Sequence, residues 1–357
     1  MAGPGSAGIA SGLRIIAARI SAMPHTNRRV FLRHYREGLP LIEDFGIEEA
    51  EIADVPAGHV VVAVDTLSMD AWIRTTLTPG SFHETAGLGA TIRAFGVGKV
   101  VASASDALAT GDWVYGLLSA QTHALMPEAA LTKLDLSNSI QPRDYVGPLG
   151  LTTGLTAWVG LIAVAEVAAG DTVLVSGAAG AVGSMVVQLA KARGARVIGI
   201  AGGPEKCRYL IERLGADVAV DYKNADLAAE VAAAAPDGIN VFFDNVGGEI
   251  LDVALANLAP ADARIAICGA ISQYSDLTNV RGPKNYLKLA ERNAAMKGFV
   301  VTHHAARFPE AKSEIAALMR EGKVNLPEHV VDGIEHFAEA LLLLFAGGHT
   351  GNLLVRP

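Results

Sequence analysis

Residues 172–190 read TVLVSGAAGAVGSMVVQLA, and this stretch narrows the possible folds more than any other part of the chain. Its opening TVLV suits a buried strand, and the residues after Gly180 repeat apolar positions at helical spacing. Between the two stand Gly177, Gly180 and Gly183. A strand, a glycine turn and a helix in that order make a cradle for a pyrophosphate. Glycine lets the backbone come close, and the helix start offers N–H groups and the positive end of its dipole. The spacing is GxxGxxG, so Ala179 stands where the usual dinucleotide fingerprint has its middle glycine. Glycines serving only tight helix-on-strand packing are the plainer reading, and the surroundings decide between the two. ARVIGIAG, EKCRYLIERLG, DVAVDY, LAAEVAAAAP, INVFFDNVG, GEILDVALANLAP and ARIAICGA alternate apolar strands with amphipathic helices. That alternation predicts an α/β fold: a doubly wound, parallel Rossmann sheet with right-handed crossovers.

The chain has 357 residues, which predicts two domains. Ahead of the glycine motif, VFLRHY, HVVVAVDTLSMDAWI, GVGKVVASA and GDWVYGLL are short β runs punctuated by Gly, Pro and Asp. They read as a compact, mostly β domain. The boundaries expected are 23–146 and 302–357 for the β domain and 147–301 for the dinucleotide domain, with PEAKSEIAALMREGKV and GNLLVRP returning to the first. Residues 1–22 are small and weakly basic, with no acid before Glu37, and read as a disordered leader; a transit peptide shares that composition. A net charge of −8 argues against a nucleic-acid partner held through its backbone. LLLLFA, 341–346, reads as a core segment and not a membrane span. Cys207 and Cys268 are the only cysteines, too few for a disulfide framework, and a reducing, cytoplasmic setting fits.

Dinucleotide sites usually carry an acid about 20 residues past the glycine motif, where it accepts hydrogen bonds from a ribose 2′-hydroxyl and repels a 2′-phosphate. Here that place reads Ala201, Gly202, Gly203. The missing acid, with Lys206 and Arg208 close by, favours NADP(H). Glu205 competes for the acid's role, and Lys206 and Arg208 also read as the solvated face of their helix.

The ordered motifs GAAGAVGSMVVQLAK, AGGPEKCRYL, DYK (221–223), FFDNVGG (242–248), CGAISQY (268–274) and GFVV (298–301) together resemble the zinc-independent medium-chain dehydrogenase/reductases. Within that family they are most similar to the branch of leukotriene B4 12-hydroxydehydrogenase/prostaglandin reductases and alkenal double-bond reductases. The resemblance is dense from 140 to 301 and looser before, through LSMDAWIR and GVGKVV. It implies that the first domain is GroES-like and catalytic, and that Ala179, Gly180, Ala181, Val182 and Gly183 hold the pyrophosphate. Lys206 and Tyr222 would bind the 2′-phosphate. Asn245 with Cys268, Gly269, Ala270, Ile271, Ser272 and Tyr274 would line the adenosine and nicotinamide ribose, and Phe299, Val300 and Val301 would face the carboxamide. It also implies a homodimer. Three departures stand out: Trp72 replaces a pocket tyrosine, His349 replaces a cofactor-contacting asparagine, and SFHETAGLGATIR, 81–93, follows its own pattern.

Zinc needs three or four ligands, and no cysteine precedes Cys207, so no metal site is expected. Without a Lewis acid on the substrate oxygen, the implied chemistry is hydride transfer from NADPH to the β-carbon of an enone or enal. The developing enolate needs a donor. Tyr274 is the catalytic side chain expected, although anchoring the cofactor or its own loop is an equal reading, and Trp72 would shape the pocket. An NADPH-dependent quinone reductase and a non-catalytic NADPH-binding protein remain as alternatives.

Overall fold

The structure, a computed structural model, describes residues 25–80, 83–224, 226–276 and 279–357; the leader expected at 1–22 lies outside them. The first part holds β1 (His25–Leu32), β2 (Phe45–Ile52), β3 (His59–Ser68), β4 (Gly96–Ser103), β5 (Trp113–Gly116), β6 (His123–Pro127) and β7 (Leu131–Lys133). The middle holds β8 (Thr172–Val175), β9 (Arg196–Ala201), β10 (Val218–Asp221), β11 (Val241–Asp244), β12 (Arg264–Ile267) and β13 (Ala295–Gly298), and the chain closes with β14 (Glu328–Asp332) and β15 (Asn352–Arg356). The middle strands form one parallel sheet in the order β10-β9-β8-β11-β12-β13. Strand order reverses between β8 and β11, and a crevice beyond the carboxyl ends of strands at such a point is where open α/β sheets take ligands. Val173, Leu174, Phe242 and Phe243 are fully buried, as strands covered by helices on both faces must be.

In the β domain, β3 is the hub: it pairs with β4 on one side and with β6 and then β15 on the other. The strand expected over HVVVAVDTLSMDAWI ends at Ser68, and Trp72–Thr75 turns into a short helix that buries Ile73 and Arg74. LLLLFA lies in the helix Phe337–Ala346, whose Phe337, Ala340 and Leu341 pack into the β-domain core. Among the described residues no helix is long and apolar enough to cross a membrane.

Core packing moves one expected boundary. The helix Phe308–Arg320, read from sequence as part of the returning domain, buries Ala311 and Ile315 in the same cluster as Trp158, Val186, Val324 and Leu326. Glu314 on that helix accepts from Trp158 Nε1 at 2.8 Å and from the Arg193 guanidinium at 2.8 Å, tying it to the nucleotide half. The chain rejoins the first domain at β14, where an extended strand pairs with β15. Amphipathic periodicity identifies a helix but not the partner of its apolar stripe.

Candidate active site

Every sequence-predicted cofactor residue except His349 lies on a segment at the carboxyl ends of β8 to β13. After β8, Gly177 adopts φ 57° and the turn delivers Gly180 to the start of the helix Ala181–Ala192. The first bond along that helix runs from Ser184 N to Gly180 O at 2.8 Å, so the amides of Ala181, Val182 and Gly183 have no acceptor within the helix. Gly183 has a steric reason to be glycine: a Cβ there would lie 2.3 Å from Gly177 O. The carboxyl-terminal loop crosses this turn, with Gly351 N donating to Ala179 O at 2.9 Å.

Asp244, at the end of β11, organises the neighbouring segments, although the sequence reading assigned it no role. It is fully buried, and its Oδ1 accepts from Ser176 Oγ at 2.8 Å, Val246 N at 3.0 Å and Gly247 N at 2.9 Å. Its backbone carbonyl receives Cys268 N at 2.8 Å and Gly269 N at 3.1 Å. Asn245 bonds back to Ser176 through both its backbone N and its Nδ2 at 2.8 Å. Ile271 N reaches Asn245 O, and Ser272 Oγ reaches Val246 O at 2.6 Å. Burial raises the Asp244 carboxyl against the pull of these donors. Burial first and Asp244 second push the Cys268 thiol up to about 12, so it stays a thiol. The sequence signal was an acid closing a run of apolar strand residues, inside a motif already quoted.

At the ribose corner, Gly202 is packed close: a Cβ there would lie 2.8 Å from the Tyr222 ring and 2.8 Å from Lys223 Cε. Lys206 Nζ donates to Gly347 O at 2.8 Å, and burial, then Lys223, lower its proton affinity. His349, beyond Gly347, is 8% exposed. Phe299 packs edge-on against Phe243, its ring centroid 6.3 Å away, and occupies the space left by Gly160. Val301 packs on the core of the nucleotide half, whereas Val300 is exposed.

On the facing domain, Trp72 lies 5.9 Å from the His83 ring and 5.7 Å from Phe95, and Phe95 stacks on Tyr115. The indole N–H of Trp72 donates to Asp70 Oδ2 at 3.3 Å, and Ser68 Oγ donates to Oδ1 at 3.0 Å. Asp70, which the sequence reading also passed over, is raised to about 6 by burial, opposed by bonds from Ser68, Thr152 and Trp72. Tyr274 turns towards its own loop, its hydroxyl accepting from Ala270 N at 3.2 Å. Burial raises the phenol, so it is an O–H donor at neutral pH.

Two family descriptions match the chain: zinc-binding dehydrogenase over residues 181–317 and N-terminal domain of oxidoreductase over 28–134. Among curated relatives, the 2-alkenal reductase (NADP(+)-dependent) of Nicotiana tabacum is 36% identical, over 92% of this chain and 97% of its own length. The NADPH-dependent curcumin reductase of Escherichia coli is 32% identical, over 92% and 96%. CurA of Vibrio vulnificus, solved in complex with NADPH, superposes with a TM-score of 0.86 at 31% identity, over 92% of this chain and 98% of its own.

Proposed function

The chain belongs to the zinc-independent medium-chain dehydrogenase/reductases, in the branch of NADP-dependent prostaglandin and alkenal reductases, and from that premise we propose that it reduces the C=C bond of α,β-unsaturated aldehydes and ketones. The observation that carries the reading is a strand-end crevice that combines a close-packed corner at Gly202, where the Asp221 carboxylate is engaged by Gly203 N at 2.8 Å, with Lys206 and, nearby, a protonated phenol at Tyr274.

Lys206 and Tyr222 would hold the 2′-phosphate, and the amides of Ala181, Val182 and Gly183 would hold the pyrophosphate. Ala179, Gly180, Asn245 and residues 268–272 line the rest of the cofactor seat, Phe299, Val300 and Val301 flank the carboxamide, and His349 closes it from the carboxyl-terminal loop. Bound there, NADPH supplies a hydride to the substrate β-carbon. Tyr274 then donates a hydrogen bond to the carbonyl oxygen as negative charge builds on it. The amide bond that the phenol accepts from Ala270 strengthens that donation. Trp72 keeps its N–H on Asp70 and offers the substrate a flat apolar face.

We also propose a homodimer joined through the open edge of the parallel sheet at β13, and a cytoplasmic protein, for which two unpaired cysteines are suited.

Loss of NADPH absorbance in the presence of a panel of alkenals, enones and quinones tests the reading. Turnover on enones is expected, and Tyr274→Phe should lower kcat on the order of a hundredfold while NADPH affinity holds. Turnover on quinones alone would make the protein a quinone reductase, and NADPH binding without turnover would make it a binding protein.

A further inference from the structure

Of the two lysines beside Gly202, Lys223 has the Asp221 carboxylate near it, which also accepts from Gly203 N at 2.8 Å, whereas Lys206 does not. Among the described residues no carboxylate pairs with Lys206; its ammonium rests on the Gly347 carbonyl, 2.8 Å away and 141 residues along the chain. Lys223 lies close enough to depress it, and the Lys223 side chain packs beside Gly202 with the Tyr222 ring. Behind Gly347 sits His349. Its imidazole is more than nine-tenths buried, and its Nδ1 has no hydrogen-bond partner. The groups facing it are Lys206 from the helix Pro204–Glu212, His329 from β14 and the Leu343 carbonyl from the helix Phe337–Ala346. Two of the three are cationic or ionise to cations, and none is an acid. Burial, then Lys206 and His329, push the imidazole down to about 4, so it is neutral in the free protein at physiological pH.

Lys206 and His349 together face no carboxylate among the described residues. A buried ring nitrogen without a partner is a costly group to leave unmatched, and a lysine held only by a carbonyl is ready to exchange it for a stronger acceptor. We propose that His349 is the proton-coupled part of the 2′-phosphate seat: as the phosphate docks on Lys206, His349 takes one proton from solvent and becomes a second cation facing it. The inference rests on the reading that Lys206 holds the 2′-phosphate. The step forms one N–H bond at the imidazole and breaks one bond to hydrogen in a solvent acid, hydronium or protonated buffer, which is left as its conjugate base.

The sign follows from the direction of the change. A dianion arriving beside the imidazole raises its proton affinity by roughly ten- to a thousandfold. Ligand binding is then strongest at low pH and weakens, by up to about tenfold per pH unit, as pH climbs from about 4 to the new, higher value. An asparagine at position 349 cannot show this. Because Lys206 also touches Gly347, and Gly351 touches Ala179, the phosphate that charges His349 grips the loop lying across the glycine turn.

The test is calorimetry on the full chain with 2′,5′-ADP and with 5′-ADP, at several values from about pH 4.5 to 7, in two buffers of different ionisation enthalpy at each. The 2′-phosphate itself titrates near 6, so the proton count is read as the difference between wild type and His349→Asn, with His349→Gln as a second variant. Wild type is expected to take up more protons per site than either variant, by up to one, and to lose 2′,5′-ADP affinity more steeply as pH rises. Equal proton counts in wild type and variants overturn the proposal. Equal affinity of wild type for 2′,5′-ADP and 5′-ADP removes the 2′-phosphate reading itself, a result recognisable because it appears before any variant is compared.

Discussion

The side chain of Asp244 takes three hydrogen bonds on one oxygen, while its other oxygen, equally buried, takes none. Asparagine can keep the accepting oxygen; alanine strands Ser176 Oγ and two amides. Each stranded group costs about 1–3 kcal/mol, so Asp244→Ala should lower the thermal midpoint far more than Asp244→Asn and weaken NADPH binding at least tenfold; equal midpoints for the two variants would deny Asp244 its organising role. Asp70 carries a pH prediction. Its carboxyl, raised to about 6, is ionised above that value, where it holds the Trp72 indole by a charge-assisted bond. Below it the grip weakens, so KM for an enone should rise as pH falls through 6 in wild type and stay flat in Asp70→Asn, as read from initial rates across pH. Sequence places Lys206 and Tyr274 just past apolar strands and takes Tyr222 from the family resemblance; all three lie beyond strand ends in the structure, and their roles toward a cofactor are proposals. Asp244 and Asp70 were not legible there, because their importance lies in burial by the folded chain and in one distant donor to each, Ser176 and Thr152, beside the local ones.

Among the elements, the turn after β8 was the most legible, since glycine spacing, strand and helix all point one way. Its third glycine also gives the sharpest local test. A Cβ at Gly183 would meet Gly177 O at 2.3 Å and Ala178 Cα at 2.7 Å, both backbone atoms of the turn itself, which leaves no flexible side chain to yield. Gly183→Ala should therefore push the helix start off the turn, cost on the order of 1–3 kcal/mol in denaturant unfolding, and weaken NADPH binding by tenfold or more because the three amides lose their aim. Gly180→Ala makes the comparison: its Cβ would meet Gly177 O at 3.4 Å, so its stability should drop less. If the two variants unfold alike, close approach is not what position 183 requires. The elements that sequence misplaced failed for an identifiable reason. The Trp72–Thr75 turn follows a strand with the same apolar density, and the helix Phe308–Arg320 shows its apolar stripe without showing which domain will cover it.

For the whole molecule, the β domain meets the nucleotide half where Asp70 takes a bond from Thr152, and the carboxyl-terminal loop crosses the glycine turn, Gly351 N donating to Ala179 O at 2.9 Å. What the fold leaves open is the edge of the parallel sheet. All four residues of β13 are exposed, and it has β12 on one side only. Lys297 in the middle of the strand is the kind of residue that discourages edge pairing. Against it stand Met296 at 37% exposure and Val300 at 54%, with Tyr286 at 58% and Leu287 at 67% in the segment leading to the strand. Four large apolar side chains along one edge outweigh a single flexible lysine, which can turn its ammonium to solvent while its stem packs. A second copy meeting this edge across a two-fold axis would pair strand with strand and cover the four together. Light scattering should then give about twice the 37.0 kDa chain mass at micromolar concentration. Met296→Glu, which brings two like charges to the axis, should shift the equilibrium to monomer, whereas Ile211→Glu, an exposed apolar site on a helix away from the edge, should leave the dimer intact. A wild-type monomer, or a Met296→Glu protein still dimeric at the lowest concentration measured, would place the apolar edge outside any dimer interface.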